Sequence, residues 1–254
     1  MITDSHTHLD AAEFDSDREA VIARALAAGA SRIITIGAAD GFDSADRAIV
    51  LAEKYPFIWA TAGIHPHDAS VPVDLARLEA LAKHPRVVAV GETGLDFFRN
   101  NAPPEFQERW FRAQIELALT LKKPLVIHSR EAGAKCLSIL RELHAERIGG
   151  VFHCYAEDVE FAKSLAEINF LVSFPGPLTF KKADTLRKVA AEVPLHQIMV
   201  ETDAPFMAPE PHRGKRCESA FVVETARALA AIKGISLEET AKVTSANASR
   251  LFGV

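Results

Sequence analysis

Three cysteines in 254 residues, Cys136, Cys154 and Cys217, lie far apart with no C-x-x-C spacing. That excludes a disulfide framework and a structural zinc ribbon, and fits a reducing cytoplasm. No apolar run approaches the length of a membrane span. The opening Met-Ile-Thr-Asp-Ser-His has no basic segment followed by an apolar stretch, so no secretory leader is expected and the expected location is cytoplasmic. Positive charge is not in excess: the formal net charge is −5. A protein that coats nucleic acid is normally basic, so any such contact must come from local patches. Low-complexity tracts are missing too. With 48% hydrophobic and 25% charged residues, the composition is that of an ordinary globular chain.

Short Val- and Ile-rich runs alternate with amphipathic stretches along the whole length. The runs are Met1–Thr3, Ile33–Ile36, Ile58–Ala62, Val87–Val90, Leu125–Ile127, Gly150–Phe152, Phe170–Val172 and Ile198–Val200. Their brevity and β-branched content predict strands buried on both faces. Helices are predicted over Asp17–Ala28, Phe42–Lys54, Glu105–Leu121, Gly133–Leu143 and Asp158–Ile168, with Phe221–Ile232 and Ser236–Ala248 at the C-terminal end. In Glu105–Leu121 a 3.6-residue period puts Phe106, Trp110, Ala113, Leu117 and Leu121 on one face, expected to be the buried one. Gly29 and Lys123-Pro124 stop helices just before apolar runs. Eight strand–helix units without a linker predict an α/β fold, a TIM-type (β/α)8 barrel, as one domain over residues 1–254. An open doubly wound sheet is the alternative.

The ionisable residues are placed selectively. His6 and His8 follow the first run, Glu92 the fourth, His128 the fifth, His153 the sixth and Asp203 the eighth. In a parallel barrel every strand C-terminus opens on one face, so residues about 200 positions apart are expected to converge. A lone strand-end histidine is more often a surface or hydrogen-bonded residue than a ligand; six metal-competent side chains at five strand ends point to a metal centre. His6 and His8, at i and i+2, point to the same side of a strand. Four imidazoles and two carboxylates suit divalent ions such as Zn, Mn or Ni. Glu92 is expected to bridge two ions, and Asp203 to take a proton from activated water as general base. His65 and His67, after the third run, are open to substrate contact or a structural loop role. His84, His144 and His196 fall in helix-to-strand connections and are read as surface residues. The loops after the seventh and eighth runs, Ser173–Lys182 and Pro209–Arg216, sit where barrels of this kind often hold phosphate. With them, Arg130 and Arg213 are expected to hold substrate through bidentate guanidinium contacts.

The chain resembles the TatD-type metal-dependent hydrolases, the TatD DNases of the amidohydrolase-like superfamily. The matching segments run nearly end to end: Asp4–Asp10, Gly63–His67, Gly91–Asp96, Pro124–Arg130, His153–Tyr155, Glu201–Phe206, Arg213–Arg216 and Asn247–Gly253. The resemblance implies two divalent metal ions (Zn, Mn or Mg), one on His6, His8, Glu92 and Asp203, the other on Glu92, His128 and His153. It also implies hydrolysis of phosphodiester bonds at nucleic-acid ends, DNA and possibly RNA, commonly as a 3′–5′ exonuclease, with Asp203 and Glu92 catalytic and Arg130, Arg213 and His65 contacting substrate. Two segments depart from the family pattern. Cys217-Glu218-Ser219 replaces an Asn-Glu-Pro-like stretch, and Tyr155 replaces the usual Phe; both bear on substrate preference.

Two other functions share these residues. An ester or amide hydrolase acting on a small molecule or on aminoacyl-tRNA needs the same activated water. Glu92, standing where many relatives in the superfamily carry a carboxylated lysine, weakens a dihydroorotase-like version of that reading. A non-catalytic, metal-stabilised binding domain is disfavoured, because a structural site is closed by its ligands. No membrane contact and no obligate protein partner are expected, and a monomer is the default.

Overall fold

The computed structural model describes residues 1–70, 72 and 74–254. Eight parallel strands form one sheet in sequence order: β1 (Ile2–Thr7), β2 (Ala30–Thr35), β3 (Ile58–Ala62), β4 (Val87–Asp96), β5 (Leu125–Arg130), β6 (Gly150–Phe152), β7 (Phe170–Phe174) and β8 (Ile198–Val200). Between and after them lie α1 (Arg18–Ala27), α2 (Gly41–Lys54), α3 (Leu75–Ala82), α4 (Pro104–Leu121), α5 (Gly133–Glu142), α6 (Val159–Ala166), α7 (Asp184–Glu192), α8 (Val222–Lys233) and α9 (Leu237–Phe252). This strand–helix alternation is the TIM-type (β/α)8 barrel class. No helix among the described residues is long and apolar enough to cross a membrane.

The contacts group the chain into two compact units. The first comprises Met1–Thr35, Cys154–Lys163 and Val172–Val254. In it β1 pairs in parallel with β2, and β7 with β8. The segment after β8 also runs beside β1, where Asp203 N–H donates to His6 O at 2.9 Å and His8 N–H to Ala204 O at 2.7 Å. Buried Asp4 fastens the same seam by accepting from Thr202 N–H and Oγ1 at 2.9 and 2.7 Å. Ser236 caps α9, accepting from Glu239 N–H.

The second unit comprises Ile36–His153 and Ser164–Leu171. Its strands β3 to β6 pair in order, with Phe152 packed edge-on against Phe170. Strand β4 is ten residues long, against the four its apolar run predicts. The hydrophobic pattern ends at Gly91-Glu92, but the ladder continues, with Gly94 opposite His128 and Asp96 opposite Arg130. Gly94 is obligatory here: its φ is +140°, and a Cβ would lie 2.0 Å from His128 O. Strands β1 and β5 likewise run on through His6 and His128, because a polar side chain ends an apolar run without ending backbone pairing.

The buried face of α4 differs from the predicted one. Gln107, Trp110, Phe111, Gln114, Ile115 and Ala118 are buried, while Phe106 is 37% exposed. Two glutamines occupy the stripe because each clamps backbone. Gln107 accepts from Asp96 N–H and donates to Asp96 O and Ala102 O. Gln114 accepts from Ile64 N–H and donates to Ile64 O and Thr93 Oγ1. Helix α4 thereby fixes the backbone on either side of the sheet positions that carry Glu92 and His65.

Candidate metal centre

In the first unit, β1 delivers His6 and, one residue past its end, His8. Their rings meet edge to face with centroids 5.2 Å apart. Both Nε2 atoms face one carboxylate oxygen, Asp203 Oδ1, at 3.6 Å from His6 and 3.5 Å from His8. All three residues are buried. Asp203 holds a left-handed backbone conformation, φ 54°, which turns its side chain toward the histidines just after β8. Close by in sequence, Glu201 accepts from Cys154 N–H at 2.7 Å. Burial pushes the Asp4 carboxyl up to about 7, with Thr202 and Ser219 hydrogen bonds working against it and the Glu201 charge adding to it.

In the second unit, Glu92 Oε1 is the hub. His153 Nε2 lies 2.7 Å from it, His128 Nδ1 2.9 Å and His65 Nε2 3.3 Å. Neighbouring ring nitrogens are only 3.3 Å apart between His65 and His128, and 3.4 Å between His153 and His128. The far nitrogen of His128 faces Asp96 Oδ2 at 3.2 Å, and His67 Nε2 meets the same oxygen at 2.6 Å. Asp96 Oδ1 in turn accepts from the N–H groups of Phe98 and Arg99. Burial alone would raise the Asp96 carboxyl, but hydrogen bonds from His128, Arg99 N–H and His67 hold it well below the usual carboxylate range. Burial lowers the His65 imidazole to about 4 against the pull of Glu92. For His128 burial also acts downward, yet Asp96 and Glu92 outweigh it and the value rises.

Donor chemistry fits divalent cations. His6, His8 and Asp203 present one donor each within 4.8 Å of one another, as do Glu92, His128 and His153, and as do His65, His67 and His128. Imidazole lone pairs and a carboxylate aimed at a common point repel unless a cation or protons lie between them. The structure thus brings His6, His8 and Asp203 together in one unit and Glu92, His128 and His153 in the other. It adds His65 to the second group, and places Asp96 and His67 behind His128. Asp96 went unread in the sequence as a functional residue; its signals were its place in the Gly91–Asp96 segment and its position at i+4 from Glu92 on a strand, which puts it on the same face.

The two arginines expected to hold substrate are exposed and stand on aromatic rings. Arg130 lies over Phe98 at 4.0 Å and Arg213 over Phe180 at 3.8 Å. Neither makes a carboxylate ion pair among the described residues, whereas Arg24, Arg112 and Arg216 do. Stacking holds each guanidinium plane and leaves its N–H edge available to an anion.

Comparison with known proteins finds relatives named as metal-dependent hydrolases. The family described as "TatD related DNase" matches residues 3–253. The uncharacterized metal-dependent hydrolase YabD of Bacillus subtilis is 41% identical, covering all of both chains. The 3′-5′ ssDNA/RNA exonuclease TatD of Salmonella typhimurium is 33% identical over 99% of this chain and 98% of its own. Among solved structures, the TatD homolog YjjV of Escherichia coli superposes with a TM-score of 0.92 at 29% identity, over 100% of this chain and 98% of that one.

Proposed function

The chain belongs to the TatD family of metal-dependent hydrolases, and we propose that it acts as a 3′–5′ exonuclease, releasing nucleotides from the ends of single-stranded DNA, and of RNA, by phosphodiester hydrolysis. The observation that carries this reading is the pair of His–carboxylate clusters, each with exposed, unpaired arginine in its own unit. In this proposal His6, His8 and Asp203 hold one divalent cation, Zn, Mn or Mg, and Glu92, His128 and His153 hold a second. Cations there supply Lewis-acid polarisation of a phosphoryl oxygen and make water acidic enough to lose a proton near neutral pH.

The remaining steps belong to the chain's own groups. Asp203 accepts the proton of the attacking water as general base; it is buried yet sits at the end of a strand where the barrel class opens to substrate. Glu92 is held by three imidazoles, which keep its carboxylate aimed. Arg130 and Arg213 each present, in their own unit, the N–H edges that stacking leaves free for phosphate oxygens. His65 keeps its ring against Glu92 and His128, because its Nδ1 accepts from His67 N–H at 3.1 Å and so directs the other nitrogen inward.

The test uses 5′-labelled single-stranded DNA incubated with the protein and Mg²⁺ or Mn²⁺. Progressive shortening from the 3′ end is expected. Intact DNA, alongside rapid cleavage of an aminoacyl ester by the same preparation, would overturn the nuclease reading in favour of carboxyl-ester hydrolysis.

A further inference from the structure

A single exposed aromatic is ordinary on a surface, but one in ring contact with a candidate metal ligand is placed to meet whatever that cluster binds. Three phenylalanines stand out: Phe98 at 54% exposure, Phe106 at 37% and Phe206 at 55%. Phe98 carries the Arg130 guanidinium over its ring, and Phe106 that of Arg109. Phe206 carries no cation among the described residues. Its contact is with His8, edge to face, with centroids 6.1 Å apart at an interplanar angle of 69°. Its place is set firmly: Phe206 N–H donates to Asp203 O at 2.9 Å, three residues after the carboxylate that faces His6 and His8.

The surrounding loops supply the other half of the argument. Glu210 N–H donates to Thr179 Oγ1 at 2.8 Å, tying the loop after β8 to the loop after β7. Those two loops bring Arg213 over Phe180. One unit therefore combines a His–His–Asp cluster, a stacked cation free of carboxylates and a bare aromatic face touching a cluster ligand. A nucleic-acid strand repeats the matching pattern, with one anionic phosphodiester and one planar base per residue. Base–aromatic stacking tolerates every base, because each has a π-face.

We propose that Phe206 is the stacking platform for the base that flanks the phosphodiester presented to His6, His8 and Asp203. It is thus a specificity-determining residue that favours unpaired over duplex ends. A base inside a duplex end is already stacked and paired, so it reaches Phe206 only after fraying; an unpaired base reaches it at once. This inference rests on the nucleic-acid reading of the preceding subsection.

The experiment separates the two. An oligonucleotide with a 3′-terminal 2-aminopurine, a 5′ fluorophore and a phosphorothioate last linkage is titrated with wild type, Phe206→Ala, Phe206→Trp and Phe106→Ala, reading both 2-aminopurine quenching and anisotropy. A matched oligonucleotide ends in an abasic residue. Wild type, Phe206→Trp and Phe106→Ala are expected to quench and to bind alike. Phe206→Ala should lose quenching and bind the base-bearing strand about tenfold more weakly, while matching wild type on the abasic strand. Equal binding of the base-bearing strand by Phe206→Ala, or an equal loss on both strands, overturns the stacking role. If wild type binds neither strand, the nucleic-acid reading itself fails and takes this inference with it.

Discussion

In the first unit, His6, His8 and Asp203 meet because backbone hydrogen bonds hold the end of β1 against the segment after β8. In the second, Glu92, His128 and His153 meet because a second rank of side chains stands behind them: Asp96 and His67 behind His128, Gln107 behind Asp96, and Gln114 behind the turn that carries His65. The first cluster has three donors with histidine-to-carboxylate spacings of 3.5 and 3.6 Å. The second gathers three imidazoles around one oxygen of Glu92 at 2.7 to 3.3 Å, four side chains in all. Few protein ligands leave coordination positions for water and substrate, as catalytic sites require, whereas a crowded, buttressed set grips. On the proposed metal reading, the contrast becomes a division of labour: the first cluster for exchange and chemistry, the second for retention.

Chelation gives the largest effect and tests that contrast directly. Exhaustive removal of metal should abolish hydrolysis and addition of Mn²⁺ or Zn²⁺ restore it. In a graded chelator titration followed by metal analysis, ions should leave in two steps. A variant lacking His8 should be missing the weakly held ion and one lacking His153 the tightly held one; the reverse assignment breaks the comparison.

Glu92→Gln comes next, with activity expected to fall on the order of 1,000-fold. Its metal content is the sharper reading. Loss of one ion confines Glu92 to the second cluster, and loss of both makes it the ligand common to the pair, as the family resemblance implies. Asp203→Asn should reduce kcat by roughly 100- to 10,000-fold, the range for a general base, with far-ultraviolet circular dichroism unchanged. A near-normal rate in that variant removes Asp203 from the base role.

The smallest effect concerns the buttress. Asp96→Ala should weaken metal binding about 10- to 100-fold at the second cluster only. In the metal-free protein it should also lower stability by about 2 kcal/mol, since buried N–H groups and imidazoles lose their acceptor. Because the folded-state value of Asp96 is held low, its stabilisation is present above the unfolded carboxylate range of about 4 and is lost as pH falls further. The stability gap between wild type and variant, measured by urea denaturation, should be full at pH 7 and narrow at acid pH. A gap independent of pH would mean that Asp96 acts by packing alone.

The strand order and the clustering of the candidate ligands were legible because they obey one-dimensional rules. Apolar runs recur with helices between them, and five of the eight are followed by a candidate histidine or carboxylate ligand. The supporting rank was not legible. Gln107 and Gln114 interrupt the apolar stripe of α4, so periodicity favoured the face bearing Phe106, while the structure buries the glutamines for their hydrogen bonds. Asp96 was not read as a site residue, since the apolar run ends at Val90, although β4 continues to Asp96 itself. The exposure of Phe206 was equally hidden, since nothing in Ala204-Pro205-Phe206 separates a bare ring from a buried one.

The first unit is assembled from three separated stretches of chain, and His6 and Asp203 stand near opposite ends of it. A ribosome makes His65 through His153 well before it reaches Asp203. The histidines and Glu92 of the second cluster are therefore all synthesised before the first cluster is complete. The carboxylate proposed to remove a proton arrives only with the last fifth of the polypeptide, so a chain cut short before it keeps Glu92 and the three histidines around it but lacks the proposed base.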